Sequence, residues 1–259
     1  MASQILAPIE AAHLLMQSRK PIVNSGKNLD KSVKVGGKTA LEFEDVTSDT
    51  DKVGAALIKG LNILIITGSR VPDYARYNMR PNRTLSWKKD EQKFIDEIVK
   101  PWKLKDFHSG FVLHAARVLK FLDGRKPAFI VGHSLGAASA QILGNHLGVP
   151  TICLASPQVV KKRILDKADM RKPENKQWNI LNIAWRQDTV TSILRPLKYR
   201  CLGHRVIFVQ ANTGIDHFVS NYLKLIEEDP DRVIIDSRGN RGSLPVKWYS
   251  PGLPIKDKP

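Results

Sequence analysis

Ser134 lies in the run FIVGHSLGAASA (129–140), with Gly132 and Gly136 two positions to either side. This G-x-S-x-G pattern, between an apolar run and a run of small residues, suits a serine lifted clear of a sheet on a sharp turn. The glycines remove side chains that would collide there, and Ala137, Ala138 and Ala140 let a following helix pack close. A serine hydroxyl is a poor nucleophile unless a base takes its proton and a carboxylate orients that base. Downstream lies Asp188 in WRQDTV, after an apolar run, followed by two histidines, His204 and His217. His204 opens an apolar run in LGHRVIFV; His217 stands after a loop and opens a helical stretch in GIDHFVSNY. The loop position suits a base that must reach across to Ser134, with His204 as the alternative. Together these residue types support acyl transfer through a serine ester.

A serine so placed needs a strand before it, a helix after it and neighbouring strands to carry its partners. LNILIIT (61–67), Pro127–Gly132, TICLAS (151–156), NILNIAW (179–185) and HRVIFVQ (204–210) read as strands. Phe111, Ala115, Val118, Leu119 and Leu122 fall at helical spacing and predict an amphipathic helix over 110–122. Helices are predicted also at Leu135–Leu147, around Ile5–Gln17, and at His217–Glu227 with Phe218, Tyr222 and Leu225 on one face. Strands alternating with helices imply an α/β fold, a mostly parallel central sheet with helices on both faces. Residues 1–45 read as an N-terminal extension, 46–228 as the catalytic domain and 229–259, with a short VII run, as a basic tail.

In this order the residues resemble the class 3 lipases, the fungal triacylglycerol lipase-like α/β-hydrolases. The resemblance rests on IITGSRVPD (65–73), FHSGF (107–111), GHSLGAA (132–138), LASP (154–157), RQDTVTSILRP (186–196) and DHFVSNY (216–222), and covers about 55–228. It implies Ser134 as nucleophile, Asp188 as orienting carboxylate and His217 as base. It also implies an oxyanion hole from the Leu135 N–H and Ser69, with Asp73 bracing the loop that carries Ser69. The chain departs from the family pattern at Thr67, where the family has arginine, and at Ala137, where it has glycine. Its segment from Asp188 to His217 is short, which keeps His204 in play. The family's lid corresponds to 74–94, YARYNMRPNRTLSWKKDEQKF, mostly charged with Leu85 and Trp87 among its few apolar residues.

The formal net charge of +16 favours something anionic. A second basic stretch at 161–205 flanks Asp188 and begins KKRILDKADMRKPENK. A solvated charged face is the commoner use of such runs; if the charge has a target, an anionic membrane surface fits an esterase. Nucleic acid is not expected, because the basic runs lack interleaved aromatics. The expected substrate is a lipid or other carboxylic ester, either an acylglycerol or phospholipid or a short soluble ester. The remaining alternative is a silent hydrolase-fold module binding an anionic partner. Acyl transfer needs no cofactor. No spacing suggests a metal site, there is no P-loop, and His13, His108, His114, His133 and His146 read as structural or exposed. The start lacks a basic n-region and no apolar run is long enough to span a bilayer, so a cytoplasmic protein is expected, with signal-less export giving the same sequence picture. Cys153 and Cys201 are expected as buried thiols. Sequence does not define the oligomeric state.

Overall fold

Short runs of β-branched and large apolar residues build the centre of the molecule. The computed structural model describes residues 6–23, 34–35, 38–39, 43–47, 53–68, 92–93, 95–96, 106–163, 179–208, 217–228, 234–236 and 241–242. Among them the strands are β1 (Lys34–Val35), β2 (Lys38–Thr39), β3 (Phe43–Val46), β4 (Ala55–Ile58), β5 (Ile63–Ile66), β6 (Phe129–His133), β7 (Thr151–Leu154), β8 (Val160–Lys161), β9 (Ile180–Trp185), β10 (Tyr199–Arg200), β11 (His204–Phe208), β12 (Ile234–Asp236) and β13 (Arg241–Gly242). The helices are α1 (Pro8–Val23), α2 (Ser109–Leu122), α3 (Leu135–Leu147) and α4 (Val219–Glu228).

Among the described residues nine strands form one sheet in the order β3-β4-β5-β6-β7-β9-β11-β12-β13. Its middle, β5-β6-β7-β9-β11, is parallel. The pairs β3-β4 and β12-β13 add antiparallel edges. Every residue of β5, β6, β7 and β9 is buried, as a sheet covered on both faces requires. Alternation along each strand sorts the side chains into two cores. Ile63, Ile65, Phe129, Val131, Ile152 and Leu154 pack with residues of α1 and α4. Leu64, Ile66, Ile130 and Cys153 pack with α2 and α3. The fold is thus α/β with a mostly parallel sheet and helices on both faces, as the alternating pattern predicts.

The predicted boundaries do not match this packing. Residues 1–45 read as an extension, yet Leu6 and, on α1, Ala11, Leu14, Leu15 and Ile22 are buried in the core shared with α4. The reason is geometric: α4 alone does not cover that face of the sheet. β3 then extends one edge from within the same region. The tail at 229–259 supplies β12 and β13 to the other edge. The sheet domain therefore reaches beyond 46–228 at both ends. Phe218, placed with Tyr222 and Leu225 on one face, is exposed instead, while those two are buried.

Between the helices on the second face, His114 of α2 shares a 2.7 Å hydrogen bond with Ser139 of α3. Burial, aided by Arg117, lowers its pKa to about 3 from 6.5. The native state thus keeps His114 neutral where an unfolded chain would take up a proton. Stability should therefore fall as pH drops below about 6.5, with a slope approaching roughly 1.4 kcal/mol per pH unit from this residue. Denaturant titrations between pH 7.5 and 5 check this, and His114→Gln should remove that share of the slope.

Candidate active site

The turn between β6 and α3 is the first element of the site. Ser134 has φ 56 and ψ −124, a conformation that costs an L residue of order 1–3 kcal/mol. The local sequence makes this turn possible. A Cβ on Gly132 would lie 2.6 Å from the Gly136 carbonyl oxygen and 2.7 Å from the Ala137 Cα. A Cβ on Gly136 would lie 2.3 Å from the Ile66 carbonyl oxygen. Both glycines are therefore required by close backbone approach, the first to α3 and the second to the end of β5. Ala137, where the lipase pattern has a second glycine, is fully buried and keeps the same tight packing.

The second element follows β9. Asp188 caps the 3-10 turn Thr189–Thr191, accepting from the Val190 N–H through Oδ1 at 3.0 Å. Its Oδ2 accepts from His217 Nδ1 at 2.8 Å and from the Tyr222 hydroxyl at 2.8 Å. A carboxylate only accepts, so Nδ1 carries the imidazole proton. That leaves His217 Nε2 to accept from Ser134 Oγ at 2.6 Å. Ser134, His217 and Asp188 thus form one hydrogen-bonded chain in the tautomer that a base requires.

Burial alone would raise the Asp188 carboxyl, but the hydrogen bond and charge of His217, with the bonds from Tyr222 and Val190, outweigh it. Its pKa lies below the ordinary 3.8, so the side chain stays ionised at neutral pH. Tyr222 is held the other way: burial and the Asp188 charge push its phenol well above 10. The hydroxyl keeps its proton, donates it to Asp188 and accepts from the Trp185 N–H at 3.0 Å.

Two residues beside this chain escape sequence reasoning. Tyr222 reads there as a core position, and its only signal is its place in DHFVSNY. His133 reads as structural or exposed, yet its Nε2 donates to the His217 carbonyl at 2.9 Å. Since His133 precedes Ser134, this bond ties the serine's turn to the backbone of the histidine. The two imidazole rings stand 5.2 Å apart.

Leu135 begins α3, so its N–H is one of those left without an intrahelical partner. Ser69 and Asp73 lie outside the described residues, as do Leu85, Trp87 and nearly all of the lid-like stretch 74–94. Gly68 shows where the Ser69 segment departs: a Cβ there would stand 3.0 Å from Ser134 Cβ. His204 is not brought to the site. It pairs with Leu181 near the start of β9, while Asp188 follows the far end of that parallel strand. Four residues of strand rise separate the two edges by roughly 13 Å. Cys153 and Cys201 are unpaired and buried, and burial raises both thiols. Among the described residues no three His, Cys, Asp or Glu side chains converge as metal ligands.

Tyr222→Phe tests the support of Asp188. The variant should lose roughly 2 kcal/mol of stability at neutral pH, the scale of a buried hydrogen bond to a charged group. A depressed aspartate stabilises the fold above its unfolded pKa and loses that contribution as pH falls through its folded one. The stability gap between variant and wild type should therefore narrow below about pH 3.8, the ordinary aspartate value. Denaturant unfolding at pH 7 and pH 3 measures it.

No protein-family model matches the chain, and no curated protein sequence does. Among solved structures it is similar to the Lip2 lipase of Yarrowia lipolytica, at 14% identity over 84% of this chain and 86% of that one, with a TM-score of 0.50. It also matches the triacylglyceride lipase of Rhizomucor miehei at 13% identity over 78% of each chain, with a TM-score of 0.48. The first of these likenesses, with the parallel sheet and its covering helices, defines the fold as an α/β-hydrolase fold like that of the class 3 fungal lipases.

Proposed function

We propose that the protein is a serine hydrolase that cleaves carboxylic esters, with Ser134 as nucleophile, His217 as base and Asp188 as the carboxylate that orients it. The observation that carries this reading is the hydrogen-bonded chain from Ser134 Oγ through His217 to Asp188 Oδ2, at 2.6 Å and 2.8 Å. Ser134 Oγ attacks the ester carbonyl as its proton passes to His217 Nε2. The imidazolium, stabilised by ionised Asp188, then protonates the departing alkoxide. Water, deprotonated by the same nitrogen, attacks the acyl-serine, and the acid leaves as the hydroxyl returns to Ser134. The resemblance to class 3 lipases assigns the oxyanion of each tetrahedral intermediate to the Leu135 N–H and Ser69.

The substrates are acylglycerols or phospholipids, met at an anionic membrane surface. The resemblance to class 3 lipases and the net charge of +16 support this. A silent binding module would have no use for a strained serine joined to a buried, ionised aspartate through a correctly protonated imidazole.

A series of p-nitrophenyl esters of rising chain length, each measured below and above its micelle threshold, tests the reading. Rates that rise with chain length and jump at the threshold are expected. Activity confined to short monomeric esters would replace the lipid substrate by a soluble one. Failure both to hydrolyse any ester and to label with a fluorophosphonate would overturn the hydrolase assignment.

A further inference from the structure

Four large apolar side chains are exposed among the described residues, and three of them flank the site: Ile193 at 58%, Leu197 at 45% and Phe218 at 53%. Phe218 adjoins His217 in sequence. Ile193 and Leu197 stand on the turns that begin at Asp188 and end at β10. The backbone holds them there. Arg195 N–H donates to Ser192 O at 2.8 Å, Leu197 N–H to Leu194 O at 3.1 Å and Lys198 N–H to Arg195 O at 2.9 Å. The turns are fixed to the body through Arg205 Nη2 to Thr191 O at 3.0 Å and Lys162 N–H to Lys198 O at 2.7 Å. Tight, tethered turns keep the two aliphatic side chains from folding inward.

Cations surround these apolar residues. Arg195 and Lys198 alternate with them in sequence, and both are exposed. β8 pairs with β10 and brings Lys161 and Lys162 alongside, with Lys161 Nζ donating to Leu197 O at 2.9 Å. Residues 189–205 contain no Asp or Glu. Arg163 is different, because its guanidinium is held by the buried carboxylate of Asp106 at 3.0 Å through Nε. Residues 164–176 of the basic stretch lie outside the described residues.

We infer that the turn segment 189–198 is a lipid-docking element: Ile193 and Leu197 enter the acyl region of a membrane while Arg195, Lys198 and Lys162 meet anionic headgroups. Apolar tips within a basic collar match a surface that is anionic outside and apolar beneath. Nucleic acid offers the charge but nothing for two exposed aliphatic side chains. The segment grows out of Asp188, so docking sets the site against the surface that carries ester substrate. The purpose of this element rests on the ester-hydrolase reading, but its binding is measured separately.

The test is vesicle sedimentation with full-length Ser134→Ala protein, so that the lipid stays intact. Phosphatidylglycerol vesicles should bind it strongly at low salt and weakly at high salt, and phosphatidylcholine vesicles weakly throughout. Adding Arg195→Gln and Lys198→Gln should weaken binding to phosphatidylglycerol about thirtyfold at low salt, roughly fivefold per charge. Adding Ile193→Ser and Leu197→Ser should weaken it by a similar factor and leave the salt dependence in place. A second measurement uses Ile193→Cys carrying an environment-sensitive dye. Its emission should shift to the blue on phosphatidylglycerol vesicles, while the same dye at Met16→Cys, on α1, should not respond. Parent-like binding by both double variants, equal binding to the two lipids, or a dye at 193 that stays in water would each overturn the proposal. So would an oligonucleotide that binds tighter than vesicles and is lost with the same four residues. Loss of soluble-ester hydrolysis by the wild-type protein would remove the enzyme reading while leaving the vesicle result standing.

Discussion

Replacing Ser134 by alanine is expected to lower ester hydrolysis by four to six orders of magnitude, roughly the loss seen when a triad member is removed. Fluorophosphonate labelling should vanish with it. Stability should change by no more than about 1 kcal/mol, because only the hydrogen bond to His217 Nε2 is lost and that imidazole is partly open to water. Ser134→Gly separates the chemical role from the backbone. At φ 56 and ψ −124 glycine is unstrained where alanine is not. The glycine variant should be as inactive as the alanine variant yet more stable than it, by roughly 1 kcal/mol after glycine's own entropic cost. Activity measured beside thermal unfolding checks both parts. A Ser134→Ala enzyme retaining near wild-type turnover would end the proposed mechanism, whatever its stability.

The next largest effect is expected at His217. His217→Ala removes the group proposed to take the Ser134 proton, and kcat/KM should drop by at least four orders of magnitude. His204→Ala should stay within roughly tenfold of wild type, about 1.4 kcal/mol in barrier. The contrast follows from register. His204 opens β11 opposite Leu181, whereas Asp188 leaves the carboxyl end of β9. A side chain at one edge of a parallel sheet does not reach the other. Asp188→Asn should fall between the two, because an amide cannot hold the Nδ1-protonated tautomer as a carboxylate does. Steady-state rates on one soluble ester for all three variants settle the order. If His204→Ala proves the inactive one, the base lies elsewhere and the short span between Asp188 and His217 must be arranged differently in solution.

Much of this was written locally. Leu135–Leu147 was legible as a helix, and it is one, because mostly small and apolar residues run without a proline to Gly148, whose φ of 65 ends it. β5, β6, β7 and β9 were legible because short apolar runs must be buried on both faces of a parallel sheet, and β11 was legible from its apolar VIF run. The strained turn at Ser134 was legible because Gly132 answers to near neighbours in sequence, whereas Gly136 answers to the Ile66 and Thr67 carbonyls at the end of β5. Ser134, Asp188 and His217 could be named from residue type, order and position after strands. Their hydrogen bonding could not, since it depends on how strand ends are arrayed along one edge of the sheet.

Only the tertiary structure decided the rest. α1 looked like an appendage because nothing in its own sequence tells which face of the sheet α4 leaves bare. β12 and β13 looked like tail because a two- or three-residue strand has almost no pattern of its own and exists through pairing, β12 with β11 and β13 with β12. Choosing between His204 and His217 required the register of β11 on β9. The bonds from Tyr222 to Asp188 and from His133 to the His217 carbonyl join residues 34 and 84 positions apart. Sequence determines what each stretch can bury and how it can turn. Which side chains then meet across the fold is set by strand order and helix packing, because such contacts form between segments whose local preferences are independent of one another.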